Sequence, residues 1–260
     1  MAIQSIADAV DALIASEDSR TSRGRITEEW SGLDTKVAYE VQKQLIAKRV
    51  SQGRRIIGVK LGLTSRAKQQ RMGISSPLTA VLLDHYLIGS DISIDLSTLI
   101  QPRIEPEIVF VMGSDLKGPN VTTAAAMQAV KSVHAGFEVI DSRYTDYSFA
   151  LPDVIADNAS SAYFFMGNKA VAPELLDLTY EAVALSVNGK TVATATGAAV
   201  QGHPAEALAL AANSLAERGE YIKAGDIVLT GGLTDAVPVS AGDQISAEFT
   251  NLGSLFVSAQ

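Results

Sequence analysis

The sequence predicts an α+β protein in which helices come first and a large, irregular sheet follows. Three observations carry this expectation. Apolar residues recur at helical spacing through residues 1–53. Beyond that point the apolar runs shorten to strand length. Finally, 20 glycines punctuate the 260 residues, which suits many turns. A hydrophobic content of 47% is ample for a sizeable core, in one large domain or one domain with a helical lead-in. Aromatics are only 6%, so that core is expected to be built from Ala, Val, Leu and Ile.

The elements follow in chain order. Ile6, Val10, Leu13 and Ile14 form one helical stripe. Residues 19–32 are polar and Arg-rich and read as a loop or flap. A second helix starts at Asp34 or Thr35 and presents Val37, Val41, Leu45 and Ile46, with Gly53 ending it. Residues 1–53 are therefore assigned as a helical lead-in and residues 54–260 as the main domain, the two forming one structural unit. Strands are expected at 55–61, 81–87, 92–96, 104–112 and 136–141, with a short helix from Thr64 or Ser65 to Gly73 and another over 122–134. Asn188-Gly189 between two β-prone runs marks a hairpin with a type I′ turn. His203-Pro204 opens a further helix ending before Gly219, and the last forty residues return to strands at 227–230 and 244–250.

Composition excludes several function classes. With 21 basic and 29 acidic residues the net charge is −8, which disfavours nucleic-acid binding. An anionic small molecule remains compatible if a local cation receives it. The absence of cysteine excludes disulfides, Cys-zinc sites, Fe–S clusters and cysteine nucleophiles. Residues 1–23 carry Asp8, Asp11, Glu17 and Asp18 and lack the charge pattern of a signal peptide, and no apolar run is long enough for a membrane span. A cytoplasmic location is the expectation. No G-x-G-x-x-G, Walker A or G-x-S-x-G motif is present, and His85, His134 and His203 lack metal-ligand spacing.

The most informative stretch is Ile104-Glu105-Pro106-Glu107-Ile108. In a strand, Glu105 and Glu107 share one face with Cα atoms roughly 6.5–7 Å apart, while the apolar residues take the other. Two nearby carboxylates repel each other unless a proton or cation intervenes. Pro106 has no N–H, which suits an edge or an interrupted ladder. Glu138, alone in an apolar run, is costly without a partner. If Glu138 meets the first pair, three carboxylates form an all-oxygen site suited to Mg²⁺ or Mn²⁺. The competing reading has these glutamates facing solvent or paired with Arg103 and Arg143. Lys60, amid apolar and glycine residues, either receives a substrate carboxylate, serves as a proton donor with a shifted pKa, or points outward. Gly62 and Gly232 either permit close backbone approach or serve ordinary turns. Arg66, Lys68 and Arg71 are read as a solvated helix face.

Several motifs in one order resemble the hydratase/decarboxylase branch of the fumarylacetoacetate hydrolase superfamily. They are Gly58-Val59-Lys60-Leu61-Gly62-Leu63-Thr64-Ser65, Pro102-Arg103-Ile104-Glu105-Pro106-Glu107 and Asp157-Asn158-Ala159-Ser160-Ser161, followed by Gly202-His203-Pro204 and Gly225–Gly232. The resemblance runs from about residue 35 to the C-terminus. It implies a mixed β-roll preceded by helices. It also implies Mg²⁺ or Mn²⁺ on Glu105, Glu107 and Glu138, with Lys60 and Ser160 as catalytic groups. Pro106 stands where relatives often carry Ala. The implied activity is metal-dependent decarboxylation of a small 2-oxo dicarboxylic acid, 2-oxo-3-hexenedioate, in meta-cleavage aromatic catabolism. Arg143 is the expected partner of the distal carboxylate, and Gly232 is placed beside the substrate. Homo-oligomerisation and a complex with a vinylpyruvate hydratase are implied by resemblance only. Three rivals stay open: hydration of 2-hydroxypenta-2,4-dienoate, C–C hydrolysis of acylpyruvates, and a non-catalytic Ca²⁺-binding domain.

Overall fold

The chain folds as two sheets and a set of covering helices in the computed structural model, which describes residues 3–66, 69–70, 73–74, 77–89 and 92–260. The lead-in forms as its caps dictate. Helix α1 (Ile6–Ser19) begins where the Ser5 side chain accepts a hydrogen bond from the Asp8 N–H, and it stops at Arg20, whose φ is 54°. Helix α3 (Thr35–Ser51) is capped by Asp34 accepting from the Val37 N–H. The polar 19–32 segment between them contains one short helix, α2 (Ile26–Glu29). Asp153 ties that turn down by accepting from the Thr27 N–H at 3.0 Å and its hydroxyl at 2.7 Å.

The larger sheet contains β1 (Ile56–Gly62), β2 (Leu78–Leu83), β3 (Arg103–Met112), β4 (Val130–Ile140), β5 (Ser161–Met166), β8 (Ile227–Gly232) and the short β9 (Val237–Pro238). Its order is β2-β1-β8-β3-β4-β5, with β9 also on β3. Only β1 and β8 run parallel; every other pair in the sheet is antiparallel. Beyond the end of β2, Leu87 bridges to Phe164 of β5, so the two margins of the sheet approach each other and the sheet curls. The smaller sheet has the order β11-β10-β6-β7, from β6 (Ala182–Val187), β7 (Lys190–Thr196), β10 (Gln244–Phe249) and β11 (Gly253–Ser258). Its β6–β7 hairpin turns on Asn188 and Gly189, with φ of 53° and 77°, the two positive angles the Asn-Gly pair predicts.

Two apolar clusters lie on opposite faces of the curled sheet. Ile104, Ile108, Phe110, Phe137 and Val139 pack with the smaller sheet and with α6 (Pro204–Ala216). Val109, Phe164, Leu229, Ala80 and Leu82 pack with Leu13 of α1, with Val41 and Leu45 of α3, and with α5 (Leu151–Ala156). The lead-in thus covers one face of the sheet and shares its core.

Several expectations differ from the structure. The helix expected over 122–134 is α4 (Thr123–Ala129), seven residues long; strand β4 begins at Val130. Pairing with β3 along the whole strand outweighs the helical spacing of its first residues. Residues 92–96 form no strand; Ile94 makes one isolated bridge to Ala259. The helix expected from residue 64 or 65 to 73 falls partly on Lys68 and Arg71, which lie outside the described residues. Pro106 agrees with one of its two expected settings, the interrupted ladder, and not with an edge. It occupies the point where β3 passes from pairing with β9, at Arg103 and Ile104, to pairing with β8, at Glu107.

Candidate metal centre and active-site cavity

The centre is built by strand register. Along β3, Arg103, Glu105 and Glu107 alternate onto one face of the sheet. Antiparallel pairing sets Glu138 of β4 directly opposite Glu105. One carboxylate oxygen from each of Glu105, Glu107 and Glu138 lies within 4.8 Å of the other two. Glycine makes room for them on both sides: Glu107 faces Gly136 on β4 and Gly232 on β8. A Cβ on Gly232 would collide with Glu105 Oε2. Gly232, placed beside the substrate from the sequence, lies against Glu105, one of the three clustered carboxylates.

Glu107 is fully buried and Glu138 is 2% exposed. Glu107 Oε2 accepts from the Gly231 N–H at 2.8 Å, while its buried Oε1 has no hydrogen-bond partner. Burial, then the charges of Glu138 and Glu105, push the Glu107 carboxyl well above its ordinary value. Three hard oxygen donors and an orphaned buried oxygen fit a divalent cation such as Mg²⁺ or Mn²⁺. Gly231 has a φ of 111°, and a Cβ there would collide with Thr64 Oγ1. That position needs glycine to present its N–H to Glu107.

Lys60 points inward from β1. Its Nζ lies 2.9 Å from Glu138 Oε1 and donates to the Ala159 carbonyl at 2.7 Å. That carbonyl belongs to an uncommon turn in which Asn158, Ala159 and Ser160 all have positive φ, at 47°, 52° and 58°. Non-glycine residues occupy this region at a cost, so the surroundings must impose it. The Asn158 side chain pairs with both backbone groups of Val81, at 2.9 Å each. The Ser160 carbonyl accepts from the Asp141 N–H at 2.8 Å.

Arg143 completes this support, and its placement corrects the sequence expectation. Its Nε bonds Asp157 Oδ1, Nη1 donates to the Asp141 and Ser161 carbonyls at 2.8 and 3.2 Å, and Nη2 donates to the Asp157 carbonyl. All three nitrogens of the guanidinium are thus spent inside the protein. A buried charge needs this many partners, so Arg143 braces the turn and is not the receptor of a distal carboxylate. Burial pushes the Asp157 carboxyl up to about 6 against the pull of Arg143.

Beside the centre lies a cavity of about 500 Å³. Its walls are Lys60, Gly62, Leu63, Leu78, Arg103, Glu105, Ile140, Tyr147, Phe149, Val154, Ala159, Ser160, Asp235 and Ala236. Lys60, Glu105 and Ser160 are thereby brought to one space, with Glu107 and Glu138 behind. Tyr147, Phe149 and Val154 carry no signal in the sequence that would have singled them out. Arg103 does, since it continues the two-residue alternation of Glu105 and Glu107.

Comparison with known proteins bears on this arrangement. The family described as fumarylacetoacetate (FAA) hydrolase C-terminal matches residues 55–258. The chain belongs to the fumarylacetoacetate hydrolase family. A 4-oxalocrotonate decarboxylase from Pseudomonas sp. (strain CF600) is 40% identical over 231 residues, covering 89% of this chain and 88% of that protein. A 2-hydroxyhexa-2,4-dienoate hydratase from Comamonas testosteroni is 38% identical over 218 residues, covering 83% of each. Among solved structures, 4-oxalocrotonate decarboxylase from Pseudomonas putida G7, complexed with magnesium and adipate, superposes with a TM-score of 0.95. It is 37% identical, over 98% of this chain and 97% of that one. The mixed, curled sheet with its helical start is the fumarylacetoacetate hydrolase type of fold. Among the described residues, no helix is long and apolar enough to cross a membrane.

Proposed function

We propose that this member of the fumarylacetoacetate hydrolase family is a divalent-metal-dependent decarboxylase. It would convert 2-oxo-3-hexenedioate to 2-hydroxypenta-2,4-dienoate and CO₂. The observation that carries the reading is the convergence of three carboxylates, one with an orphaned buried oxygen, at the wall of a cavity that Glu105 lines together with the cationic Lys60 and Arg103. The similarity to a decarboxylase whose structure holds magnesium and a six-carbon dicarboxylate supports it.

Glu105, Glu107 and Glu138 would hold Mg²⁺ or Mn²⁺. When bound, the ion supplies positive charge beside the substrate's 2-oxo oxygen, where electron density gathers as the C5–C6 bond breaks. The chain's own groups do the rest. Lys60 sets an ammonium at the cavity wall, anchored by Glu138 and the Ala159 carbonyl, where it orients a carboxylate. Ser160, on the cavity wall, would exchange its 3.3 Å hydrogen bond to Asp157 Oδ2 for one to the substrate. Leu63, Leu78, Phe149 and Val154 give the cavity an apolar lining that limits water, which favours loss of charge from the departing carboxylate. The electron pair of the broken bond passes through the conjugated chain to the C2 oxygen, which gains a proton as the enol.

Hydration of 2-hydroxypenta-2,4-dienoate is kept as a second reading, because the hydratase relative is nearly as similar as the decarboxylase. A hydratase partner remains an expectation from resemblance. Incubation of the purified protein and Mg²⁺ with each substrate decides between the two. Release of CO₂ from 2-oxo-3-hexenedioate supports decarboxylation. An inert dicarboxylate alongside a hydrated dienoate overturns it.

A further inference from the structure

We infer that Arg103 is the receptor for the second carboxylate of the substrate, and that it selects dicarboxylic over monocarboxylic acids. This deepens the proposed reading and rests on it. A substrate with a charge at each end needs a cation at each end of the cavity. Lys60 and the candidate metal ligands gather at one end.

Arg103 meets the need by position. It lies on the same face of β3 as Glu105 and two residues before it, so its Cα is about 6.6 Å further along the strand. Its side chain lines the same cavity. The cation is held without being consumed. Its guanidinium stacks over the Tyr147 ring at 4.2 Å. The ring is fixed in turn, because its hydroxyl faces the carbonyls of Ile140 at 2.9 Å and Gln101 at 3.2 Å. Among the described residues no carboxylate forms an ion pair with Arg103, in contrast to Arg143, Arg49 and Arg23. Stacking leaves the edge of the guanidinium open. That edge carries the paired N–H donors that match a carboxylate in bidentate fashion.

The chemistry explains why a stacked, half-buried arginine suits this end. A cation that gripped the distal carboxylate tightly in a dry pocket would oppose its loss as neutral CO₂. Arg103 is therefore a binding and specificity residue, and its replacement should act on KM more than on kcat.

Isothermal titration of the Mg²⁺-loaded protein with adipate and with hexanoate tests this. The two probes are alike in length and differ only in the second carboxylate. The wild type should bind adipate more tightly. Arg103→Gln should lose roughly 10–100-fold in adipate affinity, the worth of a charge-assisted hydrogen-bonded contact, with hexanoate unchanged. Arg103→Lys, which keeps the charge, should recover part of the loss and serves if the glutamine variant fails to fold. Tyr147→Leu should show a smaller loss, since the charge stays but its platform goes. Retention of the adipate preference by Arg103→Gln, or no preference in the wild type, overturns the inference. The binding readout stands apart from turnover: a protein that discriminates through Arg103 yet releases no CO₂ refutes the proposed reaction and leaves this subsite intact.

Discussion

At the scale of single residues, Glu107 governs the centre. Its carboxylate is fully buried, receives one backbone N–H and leaves one oxygen unmatched. Glu107→Gln removes one of three charges, so metal affinity should fall by more than the roughly 10–100-fold that loss of an outer-shell partner costs. Turnover should fall with it, while the metal-free variant should be at least as stable as the metal-free wild type. Titration with Mn²⁺ and thermal melts in chelator check both parts. The raised carboxyl also fixes a pH dependence. Because the folded-state value lies above the ordinary 4.5, its contribution to stability is fully present below 4.5 and is lost as pH rises through the raised value. The melting temperature in chelator should therefore decline over that window, and saturating Mg²⁺ should flatten the decline. A decline of equal size with and without metal would count against Glu107 as a ligand.

At the scale of the element, the 157–160 turn explains why a serine and a carbonyl reach the cavity at all. Three consecutive left-handed residues do not arise from local preference. Arg143, Asp157 and Asn158 impose them through buried hydrogen bonds. Removing one partner of a buried ion pair costs about 3–5 kcal/mol, so Arg143→Ala should destabilise the fold by that order in urea denaturation. An effect limited to KM with normal stability would reverse the structural assignment. Ala159→Gly should act the other way. It relieves a positive φ and should leave stability unchanged or raise it by up to about 1 kcal/mol in the same assay. A loss of more than that would mean the turn is not strained. Much at this scale was legible in the sequence. The Asn188-Gly189 hairpin, the Asp34 cap and the Glu105/Glu107 alternation each depend on neighbours in the chain. The start of β4 was not, because the residues from Val130 to His134 take strand geometry only through pairing with β3.

At the scale of the whole molecule, the helical lead-in and the candidate site share one side of the sheet. Leu13, Val41 and Leu45 cover the face that carries Val109 and Leu229, the same face onto which Glu107 projects. The family match begins at residue 55, after these helices. We propose that they belong to the same folding unit all the same. A chain starting at residue 54 would expose Leu78, Ala80, Leu82 and Phe164. It should lose cooperative unfolding or aggregate, as circular dichroism and size-exclusion chromatography would show. A soluble, cooperatively melting truncation would instead make the lead-in a separable cover.

The sequence by itself determined what acts over short distances. It determined the α+β class, the helical start, the strand that puts two glutamates on one face, and the family resemblance carried by ordered motifs. Only the tertiary structure decided which charges meet. Arg103 and Arg143 are equal candidates by composition, both beside strands and both near acidic residues. Their fates differ because β3 carries Arg103 into the cavity, while the 157–160 turn closes around Arg143. A cation in a protein interior binds whatever anion the fold brings within reach, and that distance is set by strand register and long-range packing.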